Sequence, residues 1–211
     1  STPDLDYNFQ NYQSPGDAIA YSYRYAGHEF YVISFQAEAK TWMYDATSDV
    51  WSDLTSGSDS RHYGQRAAQF QNEIYVSDYR NGMLYVYDPD TYTDNGDYIA
   101  RELITPHFFV GDSFNKLHIY RVRLDMEQGT GDKTRIDEIT HQPVIYSPQA
   151  MLQVSRDGGY TYGNEMWTSF GQVGEYLRRA EWRRLGVSRN YVFKFRITDP
   201  VKVVLIGAAA Y

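Results

Sequence analysis

Four carboxylates, Asp157, Glu165, Glu175 and Glu181, fall close together in the chain. Breaking a glycosidic bond takes two such groups on either side of it, one giving a proton and one acting as base or nucleophile. Proximity along a chain does not set them face to face, and a sialidase would also need separated arginines and a tyrosine nucleophile. His28, His62, His107, His118 and His141 stand apart, without the H-E-x-x-H or comparable spacing that would hold a metal. There is no G-x-S-x-G elbow, Walker loop or G-x-G-x-x-G fingerprint. The chain therefore reads as a non-enzyme with no cofactor and no metal.

A second group of residues points to binding. Arg178, Arg179, Arg183, Arg184 and Arg189 surround Trp182 and stand just before Tyr191. Guanidinium and aromatic groups can contact phosphates and stack on bases, and they are also the types enriched at protein interfaces. Acidic residues stand among them and the chain carries a formal net charge of −7, so a protein interface is the favoured reading of all seven residues.

These side chains need elements to hold them. Ser155, Asp157, Gly159, Thr161 and Tyr162 fit the Asp-box pattern S-x-D-x-G-x-T-[WFY]. In such a hairpin turn, Ser and Asp side chains bond nearby backbone N–H groups and glycine supplies positive φ. The box is read as a structural turn. Tyr191, Phe193, Phe195 and Ile197 alternate with Val192, Lys194, Arg196 and Thr198, the period of a strand with one apolar face. A second apolar run, Val201 to Ala208, is expected to pair with it antiparallel through the Thr198-Asp199-Pro200 corner. Between box and strand, Val173, Tyr176, Leu177 and Ala180 fit a helical spacing, but Gly171 and Gly174 weaken a helix start and a strand alternating Ala180, Trp182 and Arg184 against Glu181, Arg183 and Leu185 is preferred.

The first half repeats itself. Tyr25 to Ser34, followed by Tyr44-Asp45, answers Phe70 to Ser77, followed by Tyr87-Asp88, with Tyr31 matching Tyr75. The spacing falls near that of a four-stranded propeller blade, about 40–50 residues, and Trp51 stands where it would pin the Tyr-Asp turn. Two blades cannot close a propeller, which takes roughly four to eight, so further chain or other chains are expected to complete the sheet. The oxygen-rich loop from Asp88 to Asp97 places Thr91 where a calcium loop needs Asp, and it is read as an acidic hairpin.

With 211 residues, 21 Tyr and no Cys, the chain is read as an all-β protein without disulfides. Propeller-like blade repeats, about two and incomplete, are expected over 1–110. A β-sandwich-like antiparallel region follows over 111–211, with packing of the two as one domain left open. Residues 1–100 hold 15 acidic and 5 basic side chains, residues 101–211 hold 12 and 15, so the halves offer different surfaces. No stretch is apolar enough for a membrane span. The missing initiator Met is read as a sign of a trimmed piece of a longer protein.

Asp157-Gly-Gly-Tyr-Thr161, Trp167, Gly171-x-x-Gly174-Glu-Tyr, Trp182-Arg-Arg-Leu-Gly186-x-Ser-Arg189 and Phe195-Arg-Ile-Thr-Asp-Pro-Val-Lys202 together resemble the tail hub, or packaged-DNA stabilisation, proteins of P22-like short-tailed bacteriophages. The resemblance implies a virion protein of the phage tail, assembled in the host cytoplasm. It implies a homo-oligomer ring below the portal and adaptor that closes the DNA exit channel and meets the tail spike or needle. Packaged DNA would lie close by without sequence-specific contact. Such proteins are longer than this chain, which is expected to be a fragment or a compact relative. A carbohydrate- or receptor-binding module of a tail is the alternative, and a sialidase-like glycosidase fragment the third.

Overall fold

The computed structural model describes residues 3–57, 59–111, 115–127, 129, 141 and 147–211. The chain divides into two compact units, Ser1–Pro89 and Asp90–Tyr211. The second unit begins ahead of the 110/111 boundary expected from the sequence, because Arg101–Ile104 hydrogen-bonds to a strand near residue 195.

The first unit opens with helix α1 (Pro3–Asn11). Phe9 and Tyr12 bring rings from this end of the chain onto Phe35, at 5.3 and 4.7 Å between centroids. The Trp42 indole donates to the Tyr12 hydroxyl at 2.9 Å. Beneath lies an antiparallel meander of β1 (Ile19–Tyr25), β2 (His28–Phe35), β3 (Lys40–Asp45) and β4 (Val50–Asp53), each paired with the next. This is the four-stranded form of a propeller blade. Tyr44 stacks on Trp51 at 4.9 Å, the contact expected to pin its turn.

A three-stranded sheet follows, β5 (Gly64–Phe70), β6 (Glu73–Asp78) and β7 (Leu84–Val86). The equivalent hairpins share turn chemistry, since Ala26-Gly27 and Gln71-Asn72 hold φ of 50° and 84°, and 48° and 67°. Two successive positive φ values match the right-handed twist of the flanking strands. Val32 and Val76, matched by the repeat, are both buried. The match then slips by one. Tyr44 lies opposite Tyr31, but Val86 lies opposite Tyr75, so Tyr87 falls on the other face from the residue it was paired with. The repeat spacing itself differs by one, 44 positions from Tyr31 to Tyr75 but 43 from Tyr44 to Tyr87, and one step along a strand turns a side chain over.

In the second unit β8 (Thr93–Asp94) and β9 (Asp97–Tyr98) form a small hairpin around Asn95-Gly96, in line with the hairpin reading of the acidic loop. The remaining strands are β10 (Arg101–Ile104), β11 (Leu117–Met126), β12 (Gln149–Ser155), β13 (Met166–Ser169), β14 (Glu181–Ser188), β15 (Val192–Ile197) and β16 (Leu205–Ala210). They make two antiparallel sheets, β10-β15-β12-β13 and β14-β11-β16, over one core. Ile119, Val122, Leu124 and Met126 of β11 meet Leu152 and Val154 of β12, Trp182 and Leu185 of β14, and Phe193, Phe195 and Ile197 of β15. This is a sandwich: two sheets burying one apolar face each.

The β15 alternation expected from the sequence holds, with Phe193, Phe195 and Ile197 all buried. Its expected partner does not. The Asp199-Pro200 corner carries the chain to the opposite sheet, where β16 pairs with β11. Gln172 to Arg179 form turns and loop, not the helix that their spacing offered, and the preferred strand is present as β14 from Glu181. Within β14 the alternation breaks at Arg184, whose φ of 61° accompanies a register shift against β11. This bulge puts Trp182 and Leu185 on the same inner face although three positions separate them.

Trp182 is 4% exposed and its indole N–H donates to the Met166 carbonyl at 2.8 Å. Trp182→Ala is expected to cost the second unit about 3–5 kcal/mol, measured by denaturant unfolding. A loss under about 1 kcal/mol would remove the indole from the core.

Candidate assembly surface

The Asp-box is built at the end of β12. The Ser155 hydroxyl, fully buried, accepts from the Gly159 N–H at 2.8 Å and donates to Asp157 Oδ1 at 2.7 Å. Asp157 in turn accepts from the Thr161 N–H at 2.9 Å and from its hydroxyl at 2.5 Å. Gly158 and Gly159 hold φ of 76° and 92°, and a Cβ on Gly158 would lie 2.9 Å from the Asn190 side-chain amide. The hydrogen bond from Ser155, then those from Thr161, hold the Asp157 carboxyl down at about 2. That carboxylate is spent on the turn. Tyr162 is half-buried beside it, with the Lys194 ammonium 5.8 Å from its ring, while Tyr160 at the tip is 90% exposed.

The other carboxylates in the stretch do not converge either. Glu181 binds Arg183 at 2.6 Å and Arg121 at 3.5 Å. Glu175 caps its own loop by accepting the Gln172 N–H at 3.2 Å.

The arginine cluster separates into two parts. Arg178 and Arg179 belong to the loop joining β13 to β14, where their guanidinium groups reach the Ser169 and Tyr176 carbonyls at 3.5 and 3.1 Å. With Gly171 and Gly174 at positive φ, these bonds close the loop on itself and turn Tyr176 and Leu177 outward, 67% and 93% exposed. Arg183 and Arg184 are exposed on β14, and Arg189 follows it, also exposed. Trp182 and Tyr191, expected at the interface with them, are instead core residues at 4% and 0% exposure. For Trp182 the reason is strand alternation, which sends it inward between Glu181 and Arg183; Tyr191 stacks on Phe193 in the core at 5.6 Å.

Two cations missed by sequence reading join the β14 pair. Arg121 sits opposite Arg183 and Arg123 opposite Glu181. Like charges set directly across a pair of strands repel, and Glu181 between the arginines offsets this. The Tyr211 ring lies 4.3 Å from the Arg121 guanidinium and 6.0 Å from that of Arg123, within cation–π range. The sequence holds no local sign of this patch, because β11 and β14 are distant in the chain.

On the opposite side of the sandwich, between edge strands β10 and β16, a small apolar cleft opens. Thr105 and Phe108 form one wall, Ala208 and Ala210 the other, with Phe193 and Phe195 below. Nothing in the sequence pattern indicated it, since its walls come from strands about a hundred residues apart.

The first unit carries a polar relay. Ser56 Oγ meets His62 Nδ1 at 2.8 Å, His62 Nε2 meets the Tyr87 hydroxyl at 2.8 Å, and that hydroxyl meets Tyr21 at 2.9 Å. Burial pushes the Tyr21 phenol up, so it stays neutral. Elsewhere in this unit Arg61 and Arg80 stack over Tyr79 and Tyr63, at 3.9 and 3.0 Å. Among the described residues no group of three His, Cys, Asp or Glu side chains is placed to hold a metal, and no helix is long and apolar enough to cross a membrane.

This arrangement, blade-type sheets in the first unit and a sandwich in the second, can be set against known proteins. A family model described as "Bacteriophage P22 Gp10, beta-propeller" matches residues 1–92, and one described as "Bacteriophage P22 Gp10, beta-sandwich" matches residues 100–211. The chain belongs to the bacteriophage P22 Gp10 family. It is thereby a structural protein of a phage virion, with the propeller and sandwich parts in the order read from the sequence. No curated protein matches it. Among solved structures, a chain described as "Glycoside hydrolase" is similar at 9% identity, covering 91% of this chain. This chain spans 59% of that one, and at a TM-score of 0.25 the likeness carries no argument.

Each unit of this P22 Gp10 relative pins a turn with a carboxylate held at about 2. In the first it is Asp45, lowered mainly by the Ser48 hydroxyl and also by His28. A depressed carboxyl stabilises the fold above its ordinary range and loses that effect as pH falls toward the folded value. Tryptophan fluorescence and near-UV circular dichroism are therefore expected to stay native at pH 4 and to decay as pH drops toward 2. Decay that is complete by pH 4 would rule out these carboxylates as the groups that set acid stability.

Proposed function

We propose that this protein is a tail-hub component that extends or closes the DNA exit channel beneath the portal and adaptor and helps retain packaged DNA. The observation that carries the reading is the match of both parts of the chain, over 1–92 and 100–211, to the propeller and sandwich of one phage family. The matched description speaks of the phage protein, and the hub role for this chain is our inference.

The physical picture supports it. A hub needs surfaces that meet neighbours and a lining that does not trap DNA. Residues 101–211 carry the excess of basic side chains, and exposed Tyr176, Arg178, Arg183 and Arg184, with half-buried Arg179, are of the types that anchor protein contacts. Residues 1–100, with 15 acidic against 5 basic side chains, would repel phosphates and let DNA pass without sticking. In this role the protein forms a homo-oligomer ring and contacts the portal or adaptor on one side and the spike or needle on the other.

Particles assembled without the protein are expected to fill with DNA and then leak it, so that the genome becomes accessible to nuclease, and added protein is expected to restore retention. Particles that keep their DNA without it would refute the role.

A second reading rests on Tyr160 and Trp167, 90% and 56% exposed, which offer flat faces for stacking on sugars in a carbohydrate- or receptor-binding tail module. Retention of the protein on a glycan array, lost in Tyr160→Ala, is the result expected if that reading holds.

A further inference from the structure

On the sheet β10-β15-β12-β13, strand alternation sends Leu152, Phe193 and Phe195 into the core and the residues between them outward. Register then aligns four outward residues in one row across the sheet. Trp167 of β13 lies opposite Met151 of β12, Met151 opposite Arg196 of β15, and Arg196 opposite Glu102 of β10. Two strand spacings, about 10 Å in all, separate the backbones of Trp167 and Arg196, so a small group lying over Met151 can touch both. Met151 itself is 4% exposed and gives the row a closed apolar floor.

The two sides of this floor are unfinished in complementary ways. Trp167 is 56% exposed, and among the described residues neither its ring nor its indole N–H has a partner. Arg196 is half-buried, and among the described residues its guanidinium makes no ion pair or hydrogen bond, its Nε being buried without an acceptor. Glu102, the carboxylate opposite it, is taken by Lys194 at 3.0 Å. A cation withdrawn from water without a counter-charge is unfavourable, and a carboxylate from outside would relieve this through charge-assisted bonds to the terminal nitrogens. The next outward pair is Gln153 and Lys194. The Gln153 amide nitrogen donates to the Gly163 carbonyl at 3.1 Å, which fixes the side chain and leaves its oxygen as an acceptor.

We propose that this row binds an acidic sugar, one unit of a carboxylated glycan chain, with its C–H face on the Trp167 indole and its carboxylate on the Arg196 guanidinium. A hydroxyl of the same ring donates to Gln153 Oε1. An isolated flat aromatic with polar groups beside it suits a sugar, which has one apolar face and a rim of hydroxyls. A protein partner would need a cluster of packed apolar anchors. Here the outward neighbours are Gln149, Ser169, Gln153 and Lys194, and Ile104 stands alone at the edge. The inference rests on the glycan reading given above as the second function, and adds to it a site and an acidic class of sugar.

The test is an array of carboxylated glycans beside their neutral counterparts, sialyllactose with lactose and oligogalacturonate with its methyl ester among them, with poly-glutamate printed alongside. The full chain is expected to hold the acidic member of a pair about tenfold or more tightly than the neutral one. Trp167→Ala and Arg196→Gln are each expected to abolish that retention with the melting temperature unchanged, and Arg196→Lys to restore part of it. Glycans held equally well by both variants, or acidic and neutral members held alike, would overturn the site and leave the glycan reading standing. Poly-glutamate held as tightly as the sugars, and lost in Arg196→Gln but not in Trp167→Ala, would make the face a protein contact and overturn the sugar site. A chain that retains no glycan on the array would overturn the site and the glycan reading together.

Discussion

The second unit depends on the way β11 divides its side chains. Ile119, Val122, Leu124 and Met126 point into the core at 1–3% exposure, while Arg121 and Arg123 point out toward Glu181 and Tyr211. A shift of one residue would exchange these sets, exposing the aliphatic face and burying two guanidinium groups without carboxylate partners. Hydrophobic burial and charge thus enforce the same register. Because β11 is the middle strand of its sheet, that register also sets β14 and β16, and through β14 the place where the exposed loop begins.

Much of this was legible in the sequence where the signal is local. The period-two pattern at Tyr191 to Ile197 identified an inward face, and the Asp-box residues identified a turn whose hydrogen bonds appear as expected. Paired Tyr residues in the first half located the blade-type hairpins. What escaped was decided by distant parts of the chain. Adjacent apolar runs at 191–197 and 201–208 look like a hairpin, yet each finds its best cover in a different sheet. Plain alternation carries Trp182 inward between Glu181 and Arg183, so a residue read as interface proved to be core, and the bulge at Arg184 turns Leu185 onto the same face. At Tyr87 the register slips by one, the step by which the two repeat spacings, 44 and 43 positions, differ. Arg121 and Arg123 were invisible for the same reason: a patch drawn from two strands has no sequence motif.

The first unit achieves cohesion differently. With no disulfide available, aromatic rings and their hydroxyls link elements to each other. Phe9, Tyr12, Phe35 and Trp42 tie the amino-terminal segment to the blade. The relay from Ser56 through His62 and Tyr87 to Tyr21 joins β1, the segment before β5 and the end of β7. Each tyrosine contributes a large apolar face and one directional bond, which suits a small sheet with few fully buried positions. Asp45 adds a fixed point by binding His28, the Thr47 N–H and Ser48.

The pairing of β16 with β11 also sets a timetable. Residue 122 cannot meet its partner, residue 210, until 88 further residues have been synthesised, which takes several seconds at ~5–20 residues per second. During that interval the middle strand of one sheet has an open edge and the core of the sandwich lacks a wall. Contacts of such long range slow folding. The sandwich therefore closes only after β16 arrives, whereas the blade-type hairpins, whose partners lie close together in the chain, can pair as soon as each is made.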